Sequence, residues 1–216
     1  MIISYGRKYV FVHAPKTGGT SMALALEDRA MKDDIMLGDT PKALKRRRKL
    51  THVKTQGRLW KHATLADVDG LLPLRDIDGM FVFTMVRNPW DRMVSYYHWL
   101  RDQRFDHPAV SLAGQVDFKN FAQSDLIAAS MAANPAHSYV TDITGTDRCS
   151  LYIRLEYFVQ DARPLMDHLG FDLELPHQNK SQRSVHYQDY YDDTTRKAVA
   201  GACADDIEQF GYRFDQ

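Results

Sequence analysis

Apolar residues recur along this chain with two different periods, and the alternation between them predicts strands followed by helices. Tyr9–His13 reads as a continuous apolar strand, and Thr20–Ala30 as a helix with Met22, Ala23, Leu26 and Ala30 on one face. Gly79-Met-Phe-Val-Phe-Thr-Met-Val86 is the strongest strand pattern, and its unbroken apolar run implies burial on both faces, as in the middle of a parallel sheet. Arg87-Asn88-Pro89 stops that strand, and Pro89 suits the first turn of a helix. In that helix Trp90, Met93, Val94, Tyr97 and Leu100 share a face, leaving Asp91, Arg92 and Ser95 on the other. Phe118, Phe121, Ala122, Leu126 and Ala129 predict another helix. Ser150–Leu155 predicts a third strand, with Phe158, Ala162, Leu165, Met166 and Leu169 marking the helix after it. The last helix aligns Val199, Cys203, Ile207 and Phe210. The alternation predicts a three-layer α/β fold with a mostly parallel central sheet flanked by helices.

Between these elements the pattern is weaker. Residues 31–58 are polar without a period, a short helix is expected after His62 up to the Pro73 turn, and Arg104–Gly114 reads as a loop. From Gly170 to about Asp189 the chain is polar and punctuated by proline. With no internal repeat and no convincing boundary, residues 1–216 are expected to form one domain.

Composition adds exclusions. Lys+Arg and Asp+Glu are 28 each, so the chain as a whole has no pull toward nucleic acid or anionic lipid. Cys149 and Cys203 are too few for a disulfide scaffold and lack metal-ligand spacing; both read as core thiols of a reducing compartment. No run is long enough to span a bilayer, and the first strand and its loop start near Met1, so a cytoplasmic protein without a signal peptide is expected.

The first strand breaks into Ala14-Pro-Lys-Thr-Gly-Gly-Thr-Ser21, and this is where chemistry is first visible. Gly18 and Gly19 have no Cβ, so the loop can turn backbone N–H groups around an anion, and the helix start adds unpaired N–H groups and a favourable dipole end. A phosphate fits such a P-loop-type element. Lys16 precedes the glycines, however, and no Gly-Lys-Ser/Thr occurs anywhere, so the magnesium-binding hydroxyl of ATP and GTP loops has no counterpart. A metal-free relative fits better than a kinase. An ordinary strand-to-helix turn is the plainer alternative.

At the end of the second buried strand stands Arg87-Asn-Pro-Trp-Asp-Arg-Met-Val-Ser95-Tyr-Tyr97. Ligands gather at the carboxyl ends of parallel strands, and a guanidinium presents a fork of donors suited to phosphate. An arginine that merely caps a helix, with a surface serine, is the alternative. Taken together, Pro15–Ser21 and Arg87, Pro89, Arg92, Ser95 and Tyr97 resemble the two signature elements of sulfotransferases that use 3′-phosphoadenosine 5′-phosphosulfate (PAPS). Weaker likeness continues through Asp117-Phe118-x-x-Phe121, Arg154-Leu155-Glu156 and Phe210-Gly211-Tyr212-Arg213-Phe214, and is nearest to the carbohydrate-sulfating branch and its bacterial relatives.

The resemblance implies a role for each matched position. Lys16 would contact the bridging oxygen and the transferring sulfuryl group. Backbone N–H groups from Thr17, Gly18, Gly19, Thr20 and Ser21, with the Thr20 and Ser21 hydroxyls, would hold the 5′-phosphate. Arg87 and Ser95 would hold the 3′-phosphate, and Arg183 is a looser candidate for closing over the nucleotide. PAPS would be donor and adenosine 3′,5′-bisphosphate (PAP) the product, with no metal and with a carbohydrate or small-molecule hydroxyl as acceptor. Residues 31–60 and 104–116 would then be acceptor-side insertions.

In-line transfer also needs a base, and a histidine suits it because its pKa lies near working pH. Trp60-Lys61-His62 resembles the segment that supplies the catalytic histidine in uronyl-sulfating relatives, and His62 is the candidate; a capping or surface histidine is the alternative. His13 reads as packing, and His52, His98 and His137 are unplaced. Lys42–Lys49 carries six basic residues among eight. That run is either a solvated face or a surface that steers a polyanionic acceptor. Two rival functions stay open on sequence: a magnesium-dependent nucleoside or small-molecule kinase, and a non-catalytic polyanion-binding module.

Overall fold

The computed structural model describes residues 1–176 and 186–215. Strands β1 (Ile2–Ser4), β2 (Tyr9–Val12), β3 (Ile35–Met36), β4 (Phe81–Val86) and β5 (Leu151–Arg154) form one sheet in the order β3-β1-β2-β4-β5. The helices are α1 (Gly19–Asp28), α2 (Pro41–Arg47), α3 (Leu74–Ile77), α4 (Pro89–Arg101), α5 (Pro108–Gln115) and α6 (Phe118–Ala122). They continue with α7 (Asp125–Ala132), α8 (Ala136–Val140), α9 (Phe158–Asp161), α10 (Arg163–Leu169), α11 (Asp193–Ala202) and α12 (Ala204–Phe210). The chain divides into two compact units, Met1–Val86 with Ala136–Gln178, and Arg87–Pro135 with Asn179–Gln216.

In the first unit the expectation of a mostly parallel sheet needs correction. β2, β4 and β5 pair in parallel, but β1 runs antiparallel to both β2 and β3. The reason is connection length: only residues 5–8 link β1 to β2, enough for a hairpin and far too few for a parallel crossover. The alternation of side chains then fills both faces. Ile2, Phe11, Phe83, Met85 and Ile153 pack with Met22 and Leu26 of α1 and with Leu165 and Met166 of α10. On the opposite face Ile3, Val10, Val12 and Val82 pack with Leu65, Val68, Leu72, Ile77 and Val140. The sheet is thus the middle of three layers.

The helix expected after His62 is absent. Residues 62–72 form successive turns, because Gly70 at φ 93° leaves the helical region and Pro73 has no N–H to continue a ladder. The single helix expected over Phe158–Leu169 is two, α9 and α10, and Pro164 again removes the donor that would join them. Residues 31–58 are more ordered than their polarity suggested. Thr40 caps α2 by accepting from the Ala43 N–H, and Pro41 supplies its first turn.

In the second unit α4 has the expected buried face, with Asn88 as its cap and Pro89 in the first turn. Arg92 departs from expectation. It lies with the buried residues, its guanidinium 3.2 Å from the Asp206 carboxylate of α12. The Arg104–Gly114 loop is largely helix, α5, which starts at Pro108 with the His107 ring accepting from the Ala109 N–H. The helix expected over Phe118–Ala129 breaks at Ser124 into α6 and α7, and the last helix breaks at Cys203 into α11 and α12. Cys149 and Cys203 are free, and burial pushes both thiols up to about 12, in keeping with packed rather than reactive groups. Among the described residues no helix is long and apolar enough to cross a membrane.

Candidate functional site

The loop between β2 and α1 holds an unusual backbone. Lys16 has φ 66° and Gly18 φ 84°, both left-handed. For glycine that conformation is free, whereas for lysine it costs about 1–2 kcal/mol, so the surrounding structure must over-determine it. Two contacts do so. The Thr17 hydroxyl, buried, donates to the Ala14 carbonyl at 2.8 Å and closes the turn. Gly18 sits so near Leu155 that an added Cβ would lie 2.8 Å from Leu155 Cδ1.

Helix α1 then begins without a side-chain cap. The N–H groups of Gly19 and Thr20 have no acceptor within the helix, as at any helix start. Ser21 N–H donates to the Gly18 carbonyl at 3.0 Å, so its amide is already used within the turn. Thr20 is exposed and Ser21 half-buried. The segment is therefore a short nest of N–H donors at the positive end of a ten-residue helix, flanked by hydroxyls.

His62 is brought to the same place by His13. The His13 ring lies against Gly19, where an added Cβ would sit 2.1 Å from its Cδ2. Its carbonyl is 2.8 Å from His62 Nδ1, and the two rings meet edge-on with centroids 4.6 Å apart. A carbonyl can only accept, so the His62 proton sits on Nδ1 and the neutral ring carries its lone pair on Nε2. Burial pushes the His62 pKa down to about 4, against a smaller upward pull from the His13 carbonyl. Burial also holds His13 well below its ordinary value. Trp60, partly exposed, edges onto the His62 ring at 5.1 Å, with the Arg58 guanidinium 5.5 Å from its own ring centre. Sequence reasoning had His13 as packing, which it is; its second role as the anchor of His62 left no signal in the residue pattern.

Gly19→Ala tests this packing. The new methyl must displace the His13 imidazole, and overpacking of this kind costs about 1–3 kcal/mol. A urea titration should show that loss, and Gly114→Ala, where an added Cβ meets nothing within 4 Å, is the control expected to show none.

In the second unit Arg87, Asp91 and Ser95 follow one another at four-residue steps, so they share a face of α4 and its entry. The Arg87 guanidinium donates from Nε at 2.8 Å and from Nη2 at 2.6 Å to one Asp91 oxygen. Asp91 thus holds Arg87 at the entry of α4, the helix that also carries the half-buried Ser95. Asp91 was missed as a site residue, although its i,i+4 spacing to Arg87 made the pair legible. Arg183 lies outside the described residues.

Among comparisons with known proteins, no family model matches the chain and no curated protein does. Among solved structures, the chain is similar to one titled "Crystal structure of mouse sulfotransferase SULT7A1 complexed with PAP". The two are 13% identical, with a TM-score of 0.48 over 93% of this chain and 84% of that chain.

Proposed function

We propose that this protein is a cytoplasmic PAPS-dependent sulfotransferase that moves a sulfuryl group to a hydroxyl of a carbohydrate or glycan-like acceptor. The observation that carries the reading is the β2–α1 loop: a left-handed Lys16 and Gly18 and an uncapped helix start, with His62, unprotonated at Nε2, anchored on the His13 that packs against Gly19. An ordinary strand-to-helix turn has no need of a strained lysine.

In this reading the N–H groups of Thr17, Gly18, Gly19 and Thr20 and the hydroxyls of Thr20 and Ser21 hold the 5′-phosphate. Lys16 meets negative charge as it grows on the departing phosphate oxygen, which is where a fixed cation lowers the barrier most. Arg87, aimed by Asp91, and Ser95 hold the 3′-phosphate. The acceptor hydroxyl attacks sulfur in line; its proton passes to His62 Nε2 as the new S–O bond forms and the bond to the leaving phosphate breaks. No step calls for a metal ion, since charge on the leaving side is met by Lys16 and the helix end.

The test is thermal unfolding with PAP against magnesium-ATP. A ligand at 100 times its Kd stabilises by about 2.7 kcal/mol, which shifts the Tm of a chain this size by roughly 5–10 °C. PAP should give that shift, and Arg87→Ala should remove most of it. A shift with magnesium-ATP and none with PAP would make the protein a kinase and defeat the proposal.

A further inference from the structure

The start of α4 requires one capping oxygen, and Asn88 supplies more than that. Its Oδ1 accepts from the Trp90 N–H at 3.1 Å, a bond that an aspartate or a serine would also make. An amide adds two N–H donors. Asn88, 1% exposed, spends them on the Tyr187 hydroxyl at 3.2 Å and the Arg213 carbonyl at 2.9 Å. The Tyr187 hydroxyl in turn donates to the Phe214 carbonyl at 2.5 Å. The amide therefore has one orientation, since turned over it would set its own oxygen against the Arg213 carbonyl.

The same short segment is tied twice more. Trp90 Nε1 donates to the Arg196 carbonyl at 3.0 Å, and the Tyr191 hydroxyl donates to the Trp90 carbonyl at 2.8 Å. The Phe214 ring meets those of Trp90, Tyr187 and Tyr191 edge-on, with centroids 5.6, 5.8 and 5.3 Å away. Polar groups of Tyr187, Tyr191, Arg196 and Arg213 thus hold residues 88–90, all within the second unit. A helix that only had to be capped needs the first bond alone; the others fix where the cap stands. Arg87 stands between β4 and α4 and belongs to neither, so its placement follows that of Asn88, the next residue.

We infer that Asn88 and Tyr187 are positioning residues for the 3′-phosphate: through them residues 187–214 clasp the entry of α4, so that Arg87 presents its guanidinium to the anion. This rests on the sulfotransferase reading, in which Arg87 meets that phosphate, and it names what presents Arg87. Asp91 holds the guanidinium end, and the clasp holds the backbone end.

The experiment uses Asn88→Ser, which keeps a capping oxygen and gives up the two amide donors, and Tyr187→Phe, which keeps the ring and gives up the hydroxyl. Each is made alone and with Arg87→Ala. PAP affinity is measured by titration calorimetry, and exchange of the Arg87 Nε–H with water by NMR of the ligand-free protein. Each single variant should weaken PAP about tenfold, and neither should weaken it further once Arg87 is alanine. A general loosening of the fold would instead exert its full effect in both backgrounds. The Arg87 Nε–H, bonded to Asp91, should exchange about tenfold faster in both variants. Additive losses, PAP affinity unchanged in folded variants, or exchange at the parent rate overturns the inference. Faster exchange in variants of a protein that PAP does not bind would keep the clasp on Arg87 and remove the sulfotransferase.

Discussion

His62→Ala should lower turnover by about 10²–10⁴-fold, the range contributed by a positioned general base, while leaving the PAP-induced shift in Tm intact. The ring is held by the His13 carbonyl through Nδ1, and Nε2 is the atom that can take a proton. Its pKa of about 4 sets the pH dependence. A base works deprotonated, so kcat/KM should be flat from about pH 5.5 to 8 and fall only as pH approaches 4; an unperturbed histidine would place that limb near 6.5. Stability follows the same group with a definite sign. The folded pKa lies below the unfolded value of 6.5, so the folded state binds fewer protons, and stability falls as pH drops from 6.5 toward 4. The shift corresponds to about 3 kcal/mol at the acid end, and His13 adds to the loss in the same window. His62→Ala should therefore lose less stability between pH 7 and pH 4.5 than the parent in urea titrations. An acid limb of kcat/KM near 6.5, or unchanged turnover in the variant, would move the base elsewhere.

Some of this was legible in the residues and some was not, for physical reasons that differ by element. β2, β4 and α4 were legible because each presents several buried positions at one period. β1 was not, since three residues carry no period and pair only through a hairpin. α2 was hidden because Ala43 is its one buried residue, so the helix has hardly any apolar face to detect. Its start was nonetheless written in Thr40-Pro41, as that of α5 was in His107-Pro108, since proline there suits the first turn of a helix. The turn between β2 and α1 was legible because its residues are contiguous and its two glycines stand between a strand and a helix. The place of Asp39 beside Lys61 and His62 was not, because it joins segments that meet only through tertiary packing.

The two arginines of Arg87-x-Pro-x-x-Arg92 sharpen that contrast, since one pairs within α4 and the other with Asp206 of α12. Arg92 and Asp206 are each about 8% exposed at the side chain. Removing one member of a buried ion pair costs about 3–5 kcal/mol, because the other charge stays in a medium that solvates it poorly. Arg92→Met should therefore lower the urea midpoint severely. The double variant Arg92→Met/Asp206→Leu should recover most of the loss, as apolar replacement of a buried pair is often neutral or better. Arg87→Ala should behave in the reverse way. Its ion pair with Asp91 is an i,i+4 contact at a helix entry, its side chains 12% and 20% exposed, so stability should fall less than in Arg92→Met while PAP affinity falls. Were Arg92→Met to cost less than about 1 kcal/mol and to abolish PAP binding, Arg92 would face the nucleotide, and the division of labour between the two guanidinium groups would be wrong.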